Sequence, residues 1–399
     1  VRPDSLKPWL PPALSLFLIG WGANQFASML SFYQSSYGIS RLSVTLMLSI
    51  YIVGLLPALL LGGSWSDRSG RKWITLAALI LAMLGSVAMI IGAWLPPWIF
   101  LGRLLSGVAT GIAMAATTSW IKELSLPPWD PAASVSSGAR RASLFITGGF
   151  CIGPVVSGIL ATYAPASAVF PYATHIVLCT PLVFMLLWSP ETRSAASGFR
   201  TATDAVDQLW EYAAAPTRFR TVIIPAAPWV FGSGTIGFAV VPQLMASSSN
   251  PVLHSTITVG VTMGSGVAVQ SLGRKLDTPK SAKAIITALC LSLIGLVLAL
   301  ATLLSQSLWI GLLASSLLGA GYGLMLVAGT LEMQRLASPQ HLGGAMGKFY
   351  ALAYSGFLVP SIVSVAALFF SDKSILLAIA ILACVTITAI AINSSRNVR

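Results

Sequence analysis

Acidic side chains are scarce in this sequence: 11 Asp and Glu stand against 23 Lys and Arg in 399 residues, and charged residues of both signs reach only 9%. Soluble domains carry about a quarter of their residues as charges, so an ordinary water-exposed surface is excluded. Histidine and cysteine are equally sparse, at three and four residues. Cys151, Cys179, Cys290 and Cys384 each lie inside an apolar run without paired spacing, which argues against a disulfide framework or a metal site and for small core residues. No nucleophile is placed beside a base and no ligand cluster is visible, so neither an enzyme nor a metal or other cofactor is expected. The formal charge of +12 invites a nucleic-acid partner. Basic residues in loops beside apolar runs are better explained by membrane topology, and no nucleic acid is expected.

What the chain has in quantity is hydrocarbon: 56% of its residues are hydrophobic. At about 20 residues per membrane crossing, there is room for some twelve helices. The apolar runs predict spans near 10–33, 44–63, 73–94, 97–120, 142–163 and 171–189, then 221–246, 253–272, 284–304, 308–333, 343–369 and 372–392. No cleavable leader is evident, because the first run is long enough to span. With that run pointing outward, nearly every Lys and Arg falls on one side and only Arg41 and Lys373 on the other. Positive charge stays in the cytoplasm, so an even number of spans with both termini cytoplasmic is predicted. Between the halves, Val206, Leu209, Trp210 and Ala213 recur at helical spacing opposite Asp204, Asp207 and Glu211, which predicts an amphipathic helix along the membrane surface.

The second and third spans are joined by Gly63-Ser-Trp-Ser-Asp67-Arg68-Ser-Gly70-Arg71-Lys72. Gly63 would let helices approach, Gly70 would turn with positive φ, and Arg68, Arg71 and Lys72 would hold this end in the cytoplasm. The pattern resembles motif A of the major facilitator superfamily. That resemblance implies that Asp67 caps the eleventh helix and that Arg71 pairs with an acid at the end of the fourth, here Glu123; together with Arg68 they would form a gating loop. The same spacing returns at Gly266-Val-Ala-Val-Gln270-Ser271-Leu-Gly273-Arg274-Lys275, with Gln270 in place of the Asp and Ser271 in place of the Arg. A motif repeated at the same point of each half points to parallel six-span repeats.

Two further stretches resemble family motifs. Arg103-Leu-Leu-Ser106-Gly107 is similar to motif B, with Ser106 where Gln is usual. An arginine at membrane depth is costly and turns to the protein interior; there it either serves protons or an anionic substrate, or simply binds backbone carbonyls. Gly149-Phe-Cys-Ile-Gly153-Pro154-Val-Val-Ser157-Gly158 is similar to motif C, the signature of drug:proton antiporters, with Ser157 in place of one Gly. It implies export; small-residue packing alone would also produce Gly149, Gly153 and Gly158.

The departure from that branch lies in the missing acids. Many drug antiporters carry an Asp or Glu in an early span, where this chain has Asn24 and Gln25. A bulky cation would lack a buried counter-charge, so neutral or anionic amphiphiles fit better. For proton coupling the candidates are Arg103, His175, His254 and Glu332, since histidine changes charge near neutral pH. The resemblance places substrate contacts on Asn24, Gln25, Phe26, Met29, Tyr33, Arg103, Trp229, Phe231, Gln243, Tyr322, Met325, Tyr350 and Tyr354, where aromatic rings and thioethers suit adaptable apolar recognition. Pro225, Pro228, Gly232, Gly234 and Gly237 predict that the seventh span is the least regular and bends on gating. The expectation is an all-α membrane protein with twelve transmembrane helices in two pseudo-symmetric bundles, 1–189 and 221–399, joined by a cytoplasmic linker at 190–220. It would be a monomer in the cell membrane that exports a small-molecule substrate by alternating access with protons. Import of a metabolite or organic anion, or lipid flipping, is the alternative.

Overall fold

The computed structural model describes residues 7–134, 136–192, 217–245, 250–278, 281–337 and 342–396. The amphipathic helix expected at Val206–Ala213 lies outside them. Twelve helical segments among the described residues are long and apolar enough to cross a membrane: Leu10–Tyr37, Arg41–Gly63, Arg71–Ile91, Pro97–Glu123, Ser137–Tyr163 and Phe170–Trp188, then Phe219–Leu244, Pro251–Gly273, Lys283–Ser305, Leu308–Leu336, Ala345–Ala366 and Asp372–Ser394. In hydrocarbon a helix satisfies its own backbone, so a run of apolar residues becomes one rod. Bulky apolar side chains such as Val177, Phe184 and Ile381 are left on the outside of the protein, as a lipid-facing wall requires. Trp94, Trp188 and Trp309, the most exposed tryptophans, sit at span ends, where indole rings settle at the headgroups.

The helices are α1 (Leu10–Asn24), α2 (Phe26–Tyr37), α3 (Arg41–Ser69), α4 (Arg71–Ile91), α5 (Pro97–Glu123), α6 (Ser137–Tyr163) and α7 (Phe170–Trp188). They continue as α8 (Ile224–Thr235), α9 (Pro251–Ala268), α10 (Gln270–Leu276), α11 (Lys283–Ser305), α12 (Leu308–Leu336), α13 (Leu342–Tyr354), α14 (Val359–Ala366) and α15 (Asp372–Arg396). Local chemistry sets several ends. Pro97 and Pro251 open α5 and α9, where their missing N–H costs nothing. The Asn250 side chain accepts the Leu253 N–H and caps α9. Gln306 takes a left-handed φ of 53° and turns the α11–α12 hairpin.

The chain divides into two compact units, Val1–Met29 with Ile50–Ala205, and Leu30–Ser49 with Val206–Arg399. The first is built by close helix contact. A Cβ at Gly149 would overlap the Phe17 carbonyl and one at Gly153 would lie 2.7 Å from Trp21 Cα, so α6 rests directly on α1. In the second unit, Cβ atoms at Gly319 and Gly323 of α12 would overlap the carbonyls of Thr262 and Gly266 on α9. Leu30–Ser49 belongs to this unit because its polar side chains bond there: Arg41 pairs with Asp372 at 2.9 Å, Ser49 Oγ lies 2.7 Å from Ser361 Oγ, and Thr45 donates to Ser364 at 3.0 Å.

Three details differ from the sequence reading. Gly63 to Ser69 continues α3 as helix, so the charged stretch is a helix end and Gly70 the single residue before α4. Gly63 has open space beside it, and its neighbour Gly62 makes the close approach: a Cβ on Gly62 would lie 3.1 Å from Ile112 Cα. Helical phase, one residue off, decides which glycine faces α5. Cys384 is likewise exposed on α15.

Candidate functional site

In the first unit the polar side chains gather where the first span breaks. Gln25 separates α1 from α2, and a break in a buried helix frees backbone groups that need partners. Arg103 Nη1 donates to the Ala23 carbonyl at 2.7 Å, and Asn24 Nδ2 to the Phe150 carbonyl at 2.7 Å. The Arg103 guanidinium is 1% exposed and lies 4.9 Å from the Phe26 ring and 4.7 Å from the Tyr51 ring. Both aromatic faces attract a cation, each by about 0.5–2 kcal/mol, which offsets part of its desolvation. Gln25 Nε2 donates to Ser86 Oγ at 3.1 Å, Ser86 Oγ lies 2.8 Å from His175 Nδ1, and His175 Nε2 lies 2.9 Å from the Leu18 carbonyl. Asn24, Gln25, Phe26, Arg103 and His175 therefore gather in one polar cluster. Met29 is buried in the same unit, whereas Tyr33 belongs to the second, its ring 5.6 Å from Phe32 and 5.9 Å from Tyr37.

The second unit holds an aromatic cluster. Phe231 stacks on Tyr354 with centroids 4.3 Å apart and planes at 15°, and Tyr322 and Phe357 lie 5.5 and 5.1 Å from it. Tyr350 extends the group at 6.3 Å from Tyr354. Two irregular helices carry these rings. As expected, the seventh span is uneven: wide π-type turns at Phe219–Ile223 and Ile236–Val240 flank α8, and a tight 3₁₀ turn ends it. The eleventh span is interrupted too, by a 3₁₀ turn at Ser355–Leu358. The two irregular stretches meet at their glycines, where a Cβ on Gly356 would overlap the Gly232 nitrogen, and Thr235 Oγ1 donates to the Gly356 carbonyl at 3.1 Å. Met325 is buried within the unit. Trp229 instead lines an apolar groove of about 520 Å³ with Val359, Ile375 and Leu382. Gln243 sits in the closing turn of the span with its amide nitrogen unpartnered.

The motif residues form a charged network at the α3–α4 joint. Arg71, 6% exposed, binds Asp67 at 3.0 Å and Glu123 at 3.1 Å and donates to Ser66 Oγ. The expected Arg71–Glu123 pair is present. Asp67 is engaged by Arg71 four residues on; the start of the eleventh helix, which the family resemblance assigns to it, adjoins residues 338–341, outside the described set. Gly70 has φ +89°, and a Cβ there would lie 2.6 Å from Glu191 Oε2. Arg68 occupies the last turn of α3, where a cation suits the helix dipole. In motif C, Ser157 and Gly158 are buried on α6, and Pro154 is accommodated inside the helix.

Glu191 is the residue that the sequence reading passed over. Its carboxylate accepts the backbone N–H groups of Arg71 at 3.0 Å and Lys72 at 2.9 Å and so caps α4. Only its position, three residues past the sixth span, hinted at this. Glu191→Gln keeps one acceptor and turns an amide donor toward the other N–H. A loss of about 1 kcal/mol, read as a melting midpoint lowered by a few degrees, is expected, and an unchanged midpoint would refute the cap.

A second network, in the other unit, surrounds Glu332. Glu332 is 3% exposed, and its two oxygens are taken by Arg218 and by Arg335, the latter at 3.2 Å. Arg335 in turn grips Asp277 with both terminal nitrogens, one at 3.0 Å. The acid is a bridge between arginines and is not isolated. His254 is buried at the start of α9 with Nε2 unpartnered.

Comparison with known proteins bears on the fold and the family. The sequence profile of the Major Facilitator Superfamily matches residues 13–360. Probable inositol transporter 3 of Arabidopsis thaliana is 24% identical over 68% of the chain and 46% of its own length. The 3-(3-hydroxy-phenyl)propionate transporter of Escherichia coli strain K12 is 29% identical over 39% of the chain and 37% of its own. Quinolone resistance protein NorA of Staphylococcus aureus is 23% identical over 47% and 46%. The chain thus spans less than half the length of these curated relatives. The crystal structure of the nucleoside transporter NupG superposes with a TM-score of 0.74 at 14% identity, over 96% of this chain and 98% of that one, and shows the shared fold.

Proposed function

The chain belongs to the Major Facilitator Superfamily, and from that premise we propose that it is a secondary active transporter exporting small amphipathic compounds, neutral or anionic, by alternating access driven by protons. One observation carries the substrate class. Among the described residues every carboxylate is already committed: Asp67 and Glu123 to Arg71, Asp130 to Arg141, Asp277 and Glu332 to Arg335, Asp372 to Arg41, and Glu191 to the start of α4. A cationic substrate would find no counter-charge at either cluster, and burying it unpaired would be prohibitive. Amides, aromatic rings and one arginine remain, and these suit uncharged or acidic amphiphiles. Motif C and the relation to a quinolone resistance protein support export. The protein is read as a monomer of the cell membrane with both termini cytoplasmic and motif A gating the transition.

Import of an organic anion is the second reading, favoured by Arg103 in the polar cluster and by a relative named for a phenylpropionate. Purified protein in liposomes with an acidic lumen separates the two. 3-(3-Hydroxyphenyl)propionate and a quinolone serve as probes, with tetraphenylphosphonium as the cationic control. Export by antiport predicts that a neutral or anionic probe accumulates in the lumen while the lumen alkalises. Probe entry without proton movement would favour the importer, and a preference for tetraphenylphosphonium would overturn the substrate class.

A further inference from the structure

With every described carboxylate committed, the polar chain from Gln25 to Leu18 holds the one buried imidazole among the described residues whose two nitrogens both have partners. Its hydrogen-bond directions can be worked out from one end. The Leu18 carbonyl only accepts, so His175 Nε2 carries a hydrogen and donates to it across 2.9 Å. Neutral imidazole then offers a lone pair at Nδ1, which takes the Ser86 hydroxyl hydrogen across 2.8 Å. Ser86 Oγ, having donated, accepts from Gln25 Nε2 at 3.1 Å. Gln25 Oε1 is left buried with no partner, in a side chain that is 2% exposed. An orphaned buried acceptor costs about 1–3 kcal/mol and calls for a reason.

We propose that Gln25, Ser86 and His175 form a proton-binding relay, in which a proton taken up at His175 Nδ1 reverses the hydrogen bonds and inverts the Gln25 amide. The proton comes from hydronium and returns to water, and no other bond breaks. Imidazolium donates from both nitrogens, and both acceptors are already in place, Leu18 O and Ser86 Oγ. Ser86, now accepting from Nδ1, turns its own hydrogen toward Gln25, and the amide presents Oε1 to it. The orphan position then carries the amide hydrogens in place of the oxygen.

The charged group that shares this cluster is Arg103 of α5, held there by the Ala23 carbonyl and the Phe26 and Tyr51 rings. Helices α1, α4 and α6 pack on α7. Their ionisable residues are none on α1, Arg71 and Lys72 at the start of α4, and Arg140, Arg141, Cys151 and Tyr163 on α6; α7 itself adds Tyr172 and Cys179. Of these, only Cys179 is bonded to the ring, its Sγ 3.5 Å from Nε2.

The relay rests on the proton-driven reading above and extends it to substrate polarity. A ligand N–H or O–H meeting the Gln25 oxygen binds best to the unprotonated chain, so each expels the other, as antiport requires. A ligand acceptor meeting the amide hydrogens binds best with the proton on, which is symport. The linkage is reciprocal in both cases.

The test uses the intact protein in lipid nanodiscs, labelled with ¹⁵N in histidine and glutamine side chains, with protons as the only ligand. Three histidines occur in the chain, so His175→Gln, checked for an unchanged helical spectrum, assigns the His175 signals; His175→Asn is the second variant. At high pH His175 is expected as the Nε2–H form. On acidification the signal of the bare Nδ1 disappears, and the Gln25 amide signal moves with the same midpoint. In Ser86→Ala the Gln25 response is lost while His175 still titrates. A Gln25 signal that ignores His175, an Nδ1–H form at high pH, or an imidazole that never titrates while the protein stays folded overturns the relay. Wild-type proton stoichiometry in His175→Gln liposomes also overturns it. A relay that titrates as described in a protein whose probes move no protons supports the relay and sinks only the transport reading.

Discussion

Arg103→Ala is expected to reduce transport of any accepted probe below a tenth of the wild-type rate and to lower the melting temperature. The guanidinium satisfies the Ala23 carbonyl at the helix break and fills the space between Phe26 and Tyr51. Truncation orphans that carbonyl, worth about 1–3 kcal/mol, forfeits two ring contacts of about 0.5–2 kcal/mol each and opens a cavity. Removing a buried charge returns some desolvation energy, so the net loss should be about 3 kcal/mol. Arg103→Lys should be intermediate, because an ammonium reaches the carbonyl but cannot lie flat between two rings. Arg103→Met, which fills the volume without charge, should recover stability more than transport. Wild-type transport in Arg103→Ala would assign the residue to packing alone.

The second large effect is expected at Glu332. Replacing it by Ala leaves Arg218 and Arg335 facing a vacated site, and breaking one member of a buried ion pair costs about 3–5 kcal/mol. The low end applies, because Arg335 is partly exposed and keeps Asp277. Glu332→Gln should cost less, since the amide oxygen still accepts one bond. Adding Arg218→Ala to Glu332→Ala should restore part of the loss, as removal of both charges leaves less uncompensated. A double variant with a melting point no higher than that of Glu332→Ala would show that the two residues do not act as a unit.

Individual residues show what could be read in advance. Gly70 is legible, since a turn between two charged helix ends wants positive φ and glycine supplies it. So is the irregular seventh span, because Pro225, Pro228 and three glycines cannot sustain one even helix. The matching interruption of the eleventh span carried a weaker local signal, Gly356 and Pro360, and its register against Gly232 carried none. The break in the first span has no Pro or Gly at Gln25 to announce it; what sustains it is Arg103, eighty residues away from the Ala23 carbonyl it binds. The arginines that flank Glu332, Arg218 and Arg335, are recognised as its partners only once the helix ends are brought together.

The sequence by itself determined the twelve crossings, the charged joint between the second and third spans and the family, because each rests on runs of adjacent residues: lipid demands unbroken apolar helices, and water demands the basic ends. Tertiary structure alone decided which polar side chains meet. The Gln25–Ser86–His175 chain, the Glu191 cap and the Phe231–Tyr354 stack each join residues roughly sixty or more positions apart. Helical periodicity tells which face a residue occupies and nothing about the helix that covers that face.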